Sequence, residues 1–256
     1  MNLTRRRLLL KGSLTAAAAA VALPFPVTAH AQSAVQRTQQ EYDGYAESYD
    51  ALDSSIAADA LGFPELRRQL LAQASGQVLE LAVGTGLNLP LYDGSAVQSL
   101  SAVDISSGML WQAQRRAHTL QTNFPVDFQQ GDVAALPYPD SSFDAVVDTF
   151  SLCVFPEPLS ALREAARVLR PGGKLLLLEH QRSSFAPLAW YQDVTATAVA
   201  ATGKGCYWNQ DVKALTEEAG LRIASRTDSL GGLITLLVAE KNKAVRDSRQ
   251  MSDPQG

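Results

Sequence analysis

Residues that could bind a nucleoside follow two neighbouring predicted strands. Gly84 and Gly86 form a Gly-x-Gly turn directly after an apolar strand predicted over residues 78–82, and Asp104 ends the next strand, 18 residues after Gly86. Glycine lets the backbone approach a ligand where a Cβ atom would collide, and an acid at this spacing can accept hydrogen bonds from both ribose hydroxyls. Leu89 stands where a dinucleotide fingerprint needs a third glycine, so the turn favours a nucleoside without a diphosphate.

A second acid, Asp132, follows a third predicted strand, over residues 126–129. Its carboxylate can accept a hydrogen bond from an exocyclic amino group such as that of adenine. Each acid has a simpler interpretation as well, Asp104 as the N-cap of the next helix and Asp132 as part of a surface turn. Because the carboxyl ends of parallel strands share one edge of a sheet, the joint placement is more specific than any single residue.

Three further side chains bear on catalysis. His180, after a predicted strand over residues 174–179, is the candidate general base, because histidine titrates near neutral pH; the alternative is a histidine that orients a loop. Cys153 could line an acceptor pocket or pack as a small hydrophobe, and Cys206 could pair with it after export. The chain has two cysteines and no close Cys/His cluster, so the sequence predicts no disulfide scaffold and no metal site.

Alternating strands and helices must position these residues. Apolar runs bounded by turn residues predict strands over residues 78–82, 100–103, 126–129, 144–150, 174–179, 221–226 and 233–239, and helices over residues 109–120, 159–169 and 211–219. Such alternation predicts an α/β fold, a Rossmann-like doubly wound and mostly parallel seven-stranded sheet. The last two strands are linked too closely for a crossover helix, so they should form an antiparallel C-terminal hairpin.

The chain joins two pieces of unlike composition. Residues 1–31 contain Arg5, Arg6, Arg7 and Lys11, no acid, an apolar stretch and the triplet Ala29-His30-Ala31, which is typical of a twin-arginine signal peptide cleaved after its last alanine. An uncleaved anchor or an organelle transit segment is the alternative. The whole chain of 256 residues carries a formal net charge of −4, and cleavage would remove four positive charges, which disfavours nucleic-acid binding.

The chain resembles the class I S-adenosylmethionine-dependent methyltransferases of the type 11 group over about residues 42–239. The runs that carry the resemblance are residues 78–87, Asp104, Gly131-Asp132, Leu136-Pro137 with Ser142-Phe143-Asp144, and Ala165-Ala166-Arg167-Val168-Leu169-Arg170-Pro171-Gly172-Gly173. The resemblance implies S-adenosyl-L-methionine as the cofactor. One departure is Ala82, where the group often has glycine.

The resemblance also implies roles for individual residues. It assigns the methionine part of the cofactor to Glu80, Gly84 and Gly86, the ribose to Asp104, and the adenine to Asp132 with Val133. The segment Tyr42-Asp43-Gly44-Tyr45-Ala46-Glu47-Ser48-Tyr49-Asp50 resembles an N-terminal lid that places Tyr45 or Tyr49 over the cofactor. Aromatic packing along one helical face, at the spacing i, i+3 and i+7, is the alternative for the tyrosines.

Within the group, three sub-resemblances bear on the acceptor. Residues 83–90 resemble bacterial phospholipid N-methyltransferases, whereas Glu179-His180, Gly205-Cys206 and residues 151–154 resemble membrane-associated alkyl-thiol methyltransferases. The third resemblance is to organellar methyltransferases that act on small lipids or quinones. We expect methyl transfer to a small or lipid-like acceptor of thiol, amine or quinone type. The alternative is a non-catalytic nucleoside-binding protein that keeps the fold.

The expected organisation follows from these segments. Residues 1–31 form the signal peptide, 32–75 the lid helices, 76–240 the S-adenosylmethionine-binding domain and 241–256 a flexible tail. We expect export by the twin-arginine machinery to a periplasmic or membrane-associated location, with an organelle lumen, or the cytoplasm with an uncleaved anchor, as alternatives. By the same resemblance, the stretch over residues 185–207 walls the acceptor site, and its apolar content favours an apolar or membrane-derived substrate, unless it is a plain packing helix. A peripheral membrane contact of the protein is also expected.

Overall fold

The computed structural model of the protein describes residues 29–50 and 60–242. The expected signal peptide lies outside the described residues up to residue 28, and the expected tail lies outside them from residue 243. None of the helices within the described ranges is long and apolar enough to cross a membrane.

Seven strands form one sheet in the order β3-β2-β1-β4-β5-β7-β6. Their bounds are β1 Gly76–Leu81, β2 Val97–Asp104, β3 Val126–Gln130, β4 Phe143–Thr149, β5 Leu169–His180, β6 Arg222–Ser229 and β7 Ile234–Glu240. The first five strands are parallel, and β7 pairs antiparallel with both β5 and β6. The predicted doubly wound sheet with an antiparallel C-terminal hairpin is therefore confirmed.

Six α-helices lie in the described part of the chain: α1 Ala29–Tyr45, α2 Phe63–Leu71, α3 Ser107–Leu120, α4 Pro158–Val168, α5 Ala186–Thr202 and α6 Val212–Glu218. Two of them begin at side-chain caps. The Ser106 hydroxyl accepts a hydrogen bond from the Met109 amide (3.0 Å), and Asp211 accepts one from the Ala214 amide (3.0 Å). Asp104 is thus not the cap of α3, and the N-cap alternative for it is wrong.

Alternate side chains of β5 explain why the sheet is covered on both faces. Leu175 and Leu177 lie in one buried cluster with residues of α4 and α6, whereas Leu176 and Leu178 lie in the other, with residues of α2. All four leucines are fully buried. Since successive side chains of a strand point to opposite faces, an unbroken apolar strand requires helices on both sides of the sheet. The edge formed by the carboxyl ends of the parallel strands is where a ligand can bind.

The run Pro171-Gly172-Gly173 was expected to separate α4 from a strand beginning at residue 174, and that expectation is wrong. Strand β5 already begins at Leu169, which pairs with Phe143, and pairing resumes at Lys174 opposite Ala145. The intervening residues form a bulge opposite a single residue of β4. Gly172 has a φ of +83°, which an L side chain rarely adopts, so the glycine permits the bulge rather than ending the strand.

Candidate active site

A partly enclosed cavity of about 670 Å³, including its open mouth, lies at the carboxyl ends of the parallel strands. Its lining includes Ala82 after β1, Asp104 of β2, Asp132 after β3 and Phe150 after β4. Two of these residues have a positive φ without being glycine, namely Ala82 at 45° and Phe150 at 57°. Such backbone conformations cost free energy and cluster at functional sites.

Asp104 fixes the turn after β1. Its carboxylate accepts hydrogen bonds from the Gly84 amide (2.8 Å) and from the Ser106 amide (2.8 Å), and the residue is among those that line the cavity. Burial raises the pKa of Asp104 to about 6, although the backbone hydrogen bonds oppose that shift. A Cβ atom on Gly84 would meet only the Ala82 carbonyl oxygen, 3.9 Å away. The turn is therefore open toward the cavity at Gly84.

Gly86 and Glu80, expected to hold the methionine part of the cofactor, do not line the cavity. A Cβ atom on Gly86 would lie 2.6 Å from Leu89 Cδ1, so this glycine permits packing of the turn against its own next residues. Glu80 accepts hydrogen bonds from Asn88 Nδ2 (2.8 Å) and from the Tyr92 hydroxyl (2.9 Å). Both residues therefore stabilise the turn on the side that does not line the cavity.

The expected adenine residues both line the cavity. Asp132 accepts a hydrogen bond from the Ala134 amide (2.9 Å), which fixes the loop after β3, and Val133 is buried beside it. The two residues lie one strand further along the sheet than Asp104. The cavity therefore contains the expected acceptors for a ribose and for an adenine amino group on neighbouring strand ends.

The tyrosines of the N-terminal segment close one side of the cavity. Tyr42 and Tyr49 line it, whereas Tyr45 does not. The Tyr42 ring contacts the other two rings, at 6.0 Å from Tyr45 and 6.3 Å from Tyr49 between centroids, and Lys204 Nζ lies 4.0 Å from the Tyr49 ring centroid. Helix α1 ends at Tyr45, so the expected single helical face does not extend to Tyr49, but the rings still form one cluster.

Two aspartates attach this segment to the sheet, and sequence analysis missed them. Asp43 accepts hydrogen bonds from the Ser106 hydroxyl (2.6 Å) and the Gly108 amide (2.9 Å). Asp50 accepts a hydrogen bond from the Thr85 hydroxyl (2.5 Å) and pairs with the Arg116 guanidinium. The aspartates of the motif therefore hold the segment over the loops that follow β1 and β2. Their regular placement beside the tyrosines was the signal that could have identified them.

The end of the cavity beyond β4 is mostly apolar. Phe150, Val154, Phe155 and Pro156 line it, together with the polar residues Thr149 and Ser151. The candidate base His180 is not part of the lining, but its ring lies 5.3 Å from the Phe150 ring, between centroids. A small acceptor that enters this end would therefore meet apolar and aromatic side chains next to the nucleoside part of the site.

The fold brings together Cys153, His180 and Cys206, which are distant in sequence. The Cys153 sulfur lies 3.6 Å and the Cys206 sulfur 3.5 Å from His180 Nδ1. Both cysteines are unpaired, so the structure does not contain the disulfide considered for them. Burial alone would lower the pKa of His180, but the contact with Cys206 raises it. The hydrogen bond with Cys153, followed by the one with His180, lowers the pKa of the Cys206 thiol, although burial opposes that shift.

Two buried carboxyl groups lie beside this cluster. Asp148 of β4 and Glu179 of β5 are completely buried, and Glu179 accepts a hydrogen bond from the Ser151 amide (3.1 Å). Burial, followed by the neighbouring Glu179, holds the pKa of Asp148 well above its usual range. Burial also raises the pKa of Glu179. Burial therefore favours the uncharged forms of both carboxyl groups, and neither residue lines the cavity.

The cavity fits S-adenosyl-L-methionine on three observations. It is concave, partly enclosed and lined mostly by apolar and aromatic side chains with a few polar groups, as small-molecule sites are. The turn at Gly84 leaves space for close approach, and acids stand at the ends of β2 and after β3. The parallel order of β1, β2 and β3 places these groups along one edge, as ligand sites in open α/β sheets require.

Comparison with known proteins is consistent with this geometry. Residues 79–177 match a family model described as a methyltransferase domain. The phosphatidylethanolamine N-methyltransferase of Cereibacter sphaeroides is 34% identical over 165 residues, which cover 63% of this chain and 78% of that protein. The demethylmenaquinone methyltransferase of Beutenbergia cavernae is 30% identical over 223 residues, 78% of this chain and 89% of that protein.

Among solved structures, the [4+2]-cyclase SpnF has a similar fold, with a TM-score of 0.66 and 19% identity over 82% of this chain and 97% of that one. The likeness shows the fold alone. The two methyltransferases above, by contrast, match most of their own length at 30% identity or more. The chain therefore belongs to the S-adenosylmethionine-dependent methyltransferase family, and it is an enzyme with S-adenosyl-L-methionine as its cofactor.

Proposed function

We propose that the protein transfers a methyl group to a small, apolar or lipid-like acceptor. The observation that carries the proposal is the division of the cavity. One end has the acids Asp104 and Asp132, and the other has the apolar side chains of Phe150, Val154 and Phe155. An apolar end removes water from an acceptor whose own surface is apolar. The names of the two relatives, one acting on phosphatidylethanolamine and the other on demethylmenaquinone, support this acceptor class.

We further propose how individual residues hold the cofactor. Asp104 accepts hydrogen bonds from the ribose hydroxyls, Asp132 accepts one from the adenine amino group, and Val133 packs against the adenine. Gly84 leaves room for the methionine part, while Glu80 and Gly86 position the turn that carries it. These assignments rest on the residues' positions at the strand ends. Glu80 and Gly86 are assigned to positioning the turn rather than to direct contact with the methionine part of the cofactor.

The N-terminal segment is proposed to act as a lid over the cofactor. Its tyrosines Tyr42 and Tyr49 line the cavity, and its aspartates Asp43 and Asp50 bind the loops after β1 and β2. Tyr45 supports the lid through its contact with Tyr42 rather than through the cofactor. A closed lid excludes water from the reacting groups, which favours alignment of donor and acceptor.

The cofactor supplies a methyl group on a positively charged sulfonium, so the protein's task is chiefly alignment and exclusion of water. The apolar lining beyond β4 and the lid supply both. His180 as a general base stays a prediction from the sequence, and it would be needed only for an acceptor that must lose a proton.

The experiment that tests the proposed acceptor class is a methyl-transfer assay with a labelled donor. The acceptor panel contains phosphatidylethanolamine, a demethylmenaquinone, an alkyl thiol and a hydrophilic amine of similar nucleophilicity. We expect label in at least one apolar acceptor and none in the hydrophilic one. The replacement Phe155→Ser should reduce transfer while leaving cofactor affinity unchanged, because it alters only the apolar end. Transfer to the hydrophilic amine alone would contradict the proposal.

We also propose a peripheral membrane contact through exposed apolar side chains at α5. Phe185 directly precedes the helix, Trp190 and Val194 lie on it, and the three are 64%, 66% and 57% exposed. Large side chains of this kind partition into the interface of a bilayer, where a lipid-like acceptor would be found. In a flotation assay with phosphatidylcholine vesicles, the double replacement Phe185→Ser and Trp190→Ser should reduce binding. The matched control is Trp111→Ser on α3, 53% exposed, which should not.

Export by the twin-arginine route is proposed from residues 1–31 alone. The mass of the protein isolated from the periplasmic and membrane fractions of a bacterial host tests it. A chain beginning at Gln32 supports cleavage after Ala31. A full-length chain that stays in the cytoplasm would contradict it.

A further inference from the structure

Three side chains with metal-binding atoms meet at the acceptor end of the sheet. Cys153 lies in the turn Leu152–Val154 after β4, His180 is the last residue of β5, and Cys206 lies in the loop after α5. Their Sγ and Nδ1 atoms all lie within 4.8 Å of one another. Because the three residues come from three elements, local sequence does not explain the convergence.

The two sulfur–nitrogen distances match edges of a zinc tetrahedron. With Zn–S bonds of about 2.3 Å and Zn–N bonds of about 2.0–2.1 Å, tetrahedral angles place sulfur about 3.5–3.6 Å from nitrogen. The observed distances from His180 Nδ1 are 3.5 Å to the Cys206 sulfur and 3.6 Å to the Cys153 sulfur. We propose that Cys153, His180 and Cys206 bind one Zn²⁺ ion.

The donor set favours this ion over the hard cations. Two thiolates and one imidazole are the ligands that zinc takes in proteins, whereas Ca²⁺ and Mg²⁺ take oxygen. Three protein ligands leave a fourth position, as in zinc sites that bind water or a substrate. Phe150, which lines the cavity, contacts the His180 ring, with centroids 5.3 Å apart. The cluster therefore lies next to the acceptor end of the cavity.

The loop that carries Cys206 gives the ion a further effect. The Tyr207 amide donates a hydrogen bond to the Cys153 carbonyl oxygen (2.9 Å), and the Tyr42 hydroxyl donates one to the Lys204 carbonyl oxygen (3.3 Å). The loop therefore already touches both the end of β4 and the lid. An ion held by Cys206 would fix the contacts of this loop with the end of β4 and with the lid. Zinc binding itself does not rest on the proposed acceptor class.

Metal content of the reduced full-length protein tests the inference. The chain has only two cysteines, so any thiolate–metal signal comes from this cluster. We expect one zinc per chain after dialysis, and with Co²⁺ the absorption bands of a tetrahedral ion with sulfur ligands. Cys206→Ser and His180→Ala should each weaken zinc affinity about tenfold or more, since even outer-shell groups have effects of that size. Both variants should still bind S-adenosylhomocysteine, which shows that they fold.

The matched control is His118→Ala, which removes an exposed histidine of α3 and should leave zinc binding unchanged. Absence of zinc and of a cobalt signal in protein with both thiols titratable would overturn the inference. So would equal zinc affinity in the Cys206→Ser variant. A loss of two hydrogens by mass, with no zinc bound after reduction, would show that the cysteines form a redox pair instead. The metal readout is independent of methyl transfer, so failure of the proposed acceptor class would leave it unaffected.

Discussion

Glu80 offers a direct test of the energetics behind the cofactor turn. Its side chain is 2% exposed, and its two carboxyl oxygens accept hydrogen bonds from Asn88 and Tyr92. Burial raises the pKa of Glu80 from its usual 4.5 to about 7, although both hydrogen bonds oppose that shift. The replacement Glu80→Gln keeps the shape of the side chain and removes its charge.

The sign of the pH effect follows from the direction of this shift. Well below pH 4.5 the Glu80 carboxyl group is protonated in both the folded and the unfolded chain, so it contributes no pH dependence to the free energy of unfolding. Between pH 4.5 and 7 the folded chain holds more protons, and its free energy of unfolding falls as the pH rises. With these two pKa values, the loss between pH 5 and pH 8 is about 2.5 kcal/mol, as an order of magnitude.

Urea unfolding of the two proteins at pH 5 and pH 8 measures this effect. The free energy of unfolding of Glu80→Gln minus that of the wild type should rise by about 2.5 kcal/mol over this range. The matched control is Glu65→Gln on α2, where hydrogen bonds from Gln69 and Arg68 lower the pKa of an exposed carboxyl group. Its difference should stay nearly constant between pH 5 and pH 8, because a carboxyl group with its pKa lowered from 4.5 is largely ionised in both the folded and the unfolded chain over this range. A Glu80→Gln difference that does not change with pH would refute the reasoning.

Three further predictions concern the loops that hold the cofactor. Ala82→Gly should raise the free energy of unfolding by about 0.5–1 kcal/mol in urea, because it relieves a φ of 45°; a loss of stability would contradict this. Gly86→Ala should lower it by about 1–3 kcal/mol, because φ is +82° and the added Cβ would lie 2.6 Å from Leu89 Cδ1; an unchanged unfolding midpoint would contradict this. Asp43→Ala should weaken S-adenosylhomocysteine binding about tenfold in calorimetry, because the lid loses its bonds to Ser106 and Gly108; unchanged affinity would show that the lid does not contribute.

The sheet was predictable because its signals are local. Apolar runs marked all seven strands, and the helices predicted over residues 109–120 and 211–219 agree with Ser107–Leu120 and Val212–Glu218 to within two residues at each end. The exception was the Pro171-Gly172-Gly173 bulge. Proline and glycine in this run predict a turn between a helix and a strand. Only the pairing with β4 shows that the run is part of strand β5.

The site was only partly predictable, because a strand-end position does not reveal where a side chain points. Asp104 and Asp132 line the cavity as expected, whereas Glu80 and Gly86 shape the turn behind it. The distinction depends on which face of the turn is packed. In the case of Glu80, it depends on Asn88 and Tyr92, whose hydrogen bonds no spacing rule predicts.

The Cys153–His180–Cys206 cluster could not be predicted from spacing. His180 lies 27 residues from Cys153 and 26 from Cys206, far outside the short intervals that mark a zinc motif. The contact arises because β4 and β5 are parallel neighbours whose ends meet, and because the loop after α5 returns to the same edge. Topology therefore creates the cluster.

The measurement that tests the central claim most directly is calorimetric titration of the full-length protein with S-adenosylhomocysteine. The control is Asp127→Asn on an exposed position of β3. We predict that the wild type and this control bind alike, and that Asp104→Asn, which changes the carboxylate at the end of β2, weakens binding about tenfold or more. Equal affinity in Asp104→Asn and the control, or no binding by the wild type, would contradict the assignment of this cavity as the cofactor site.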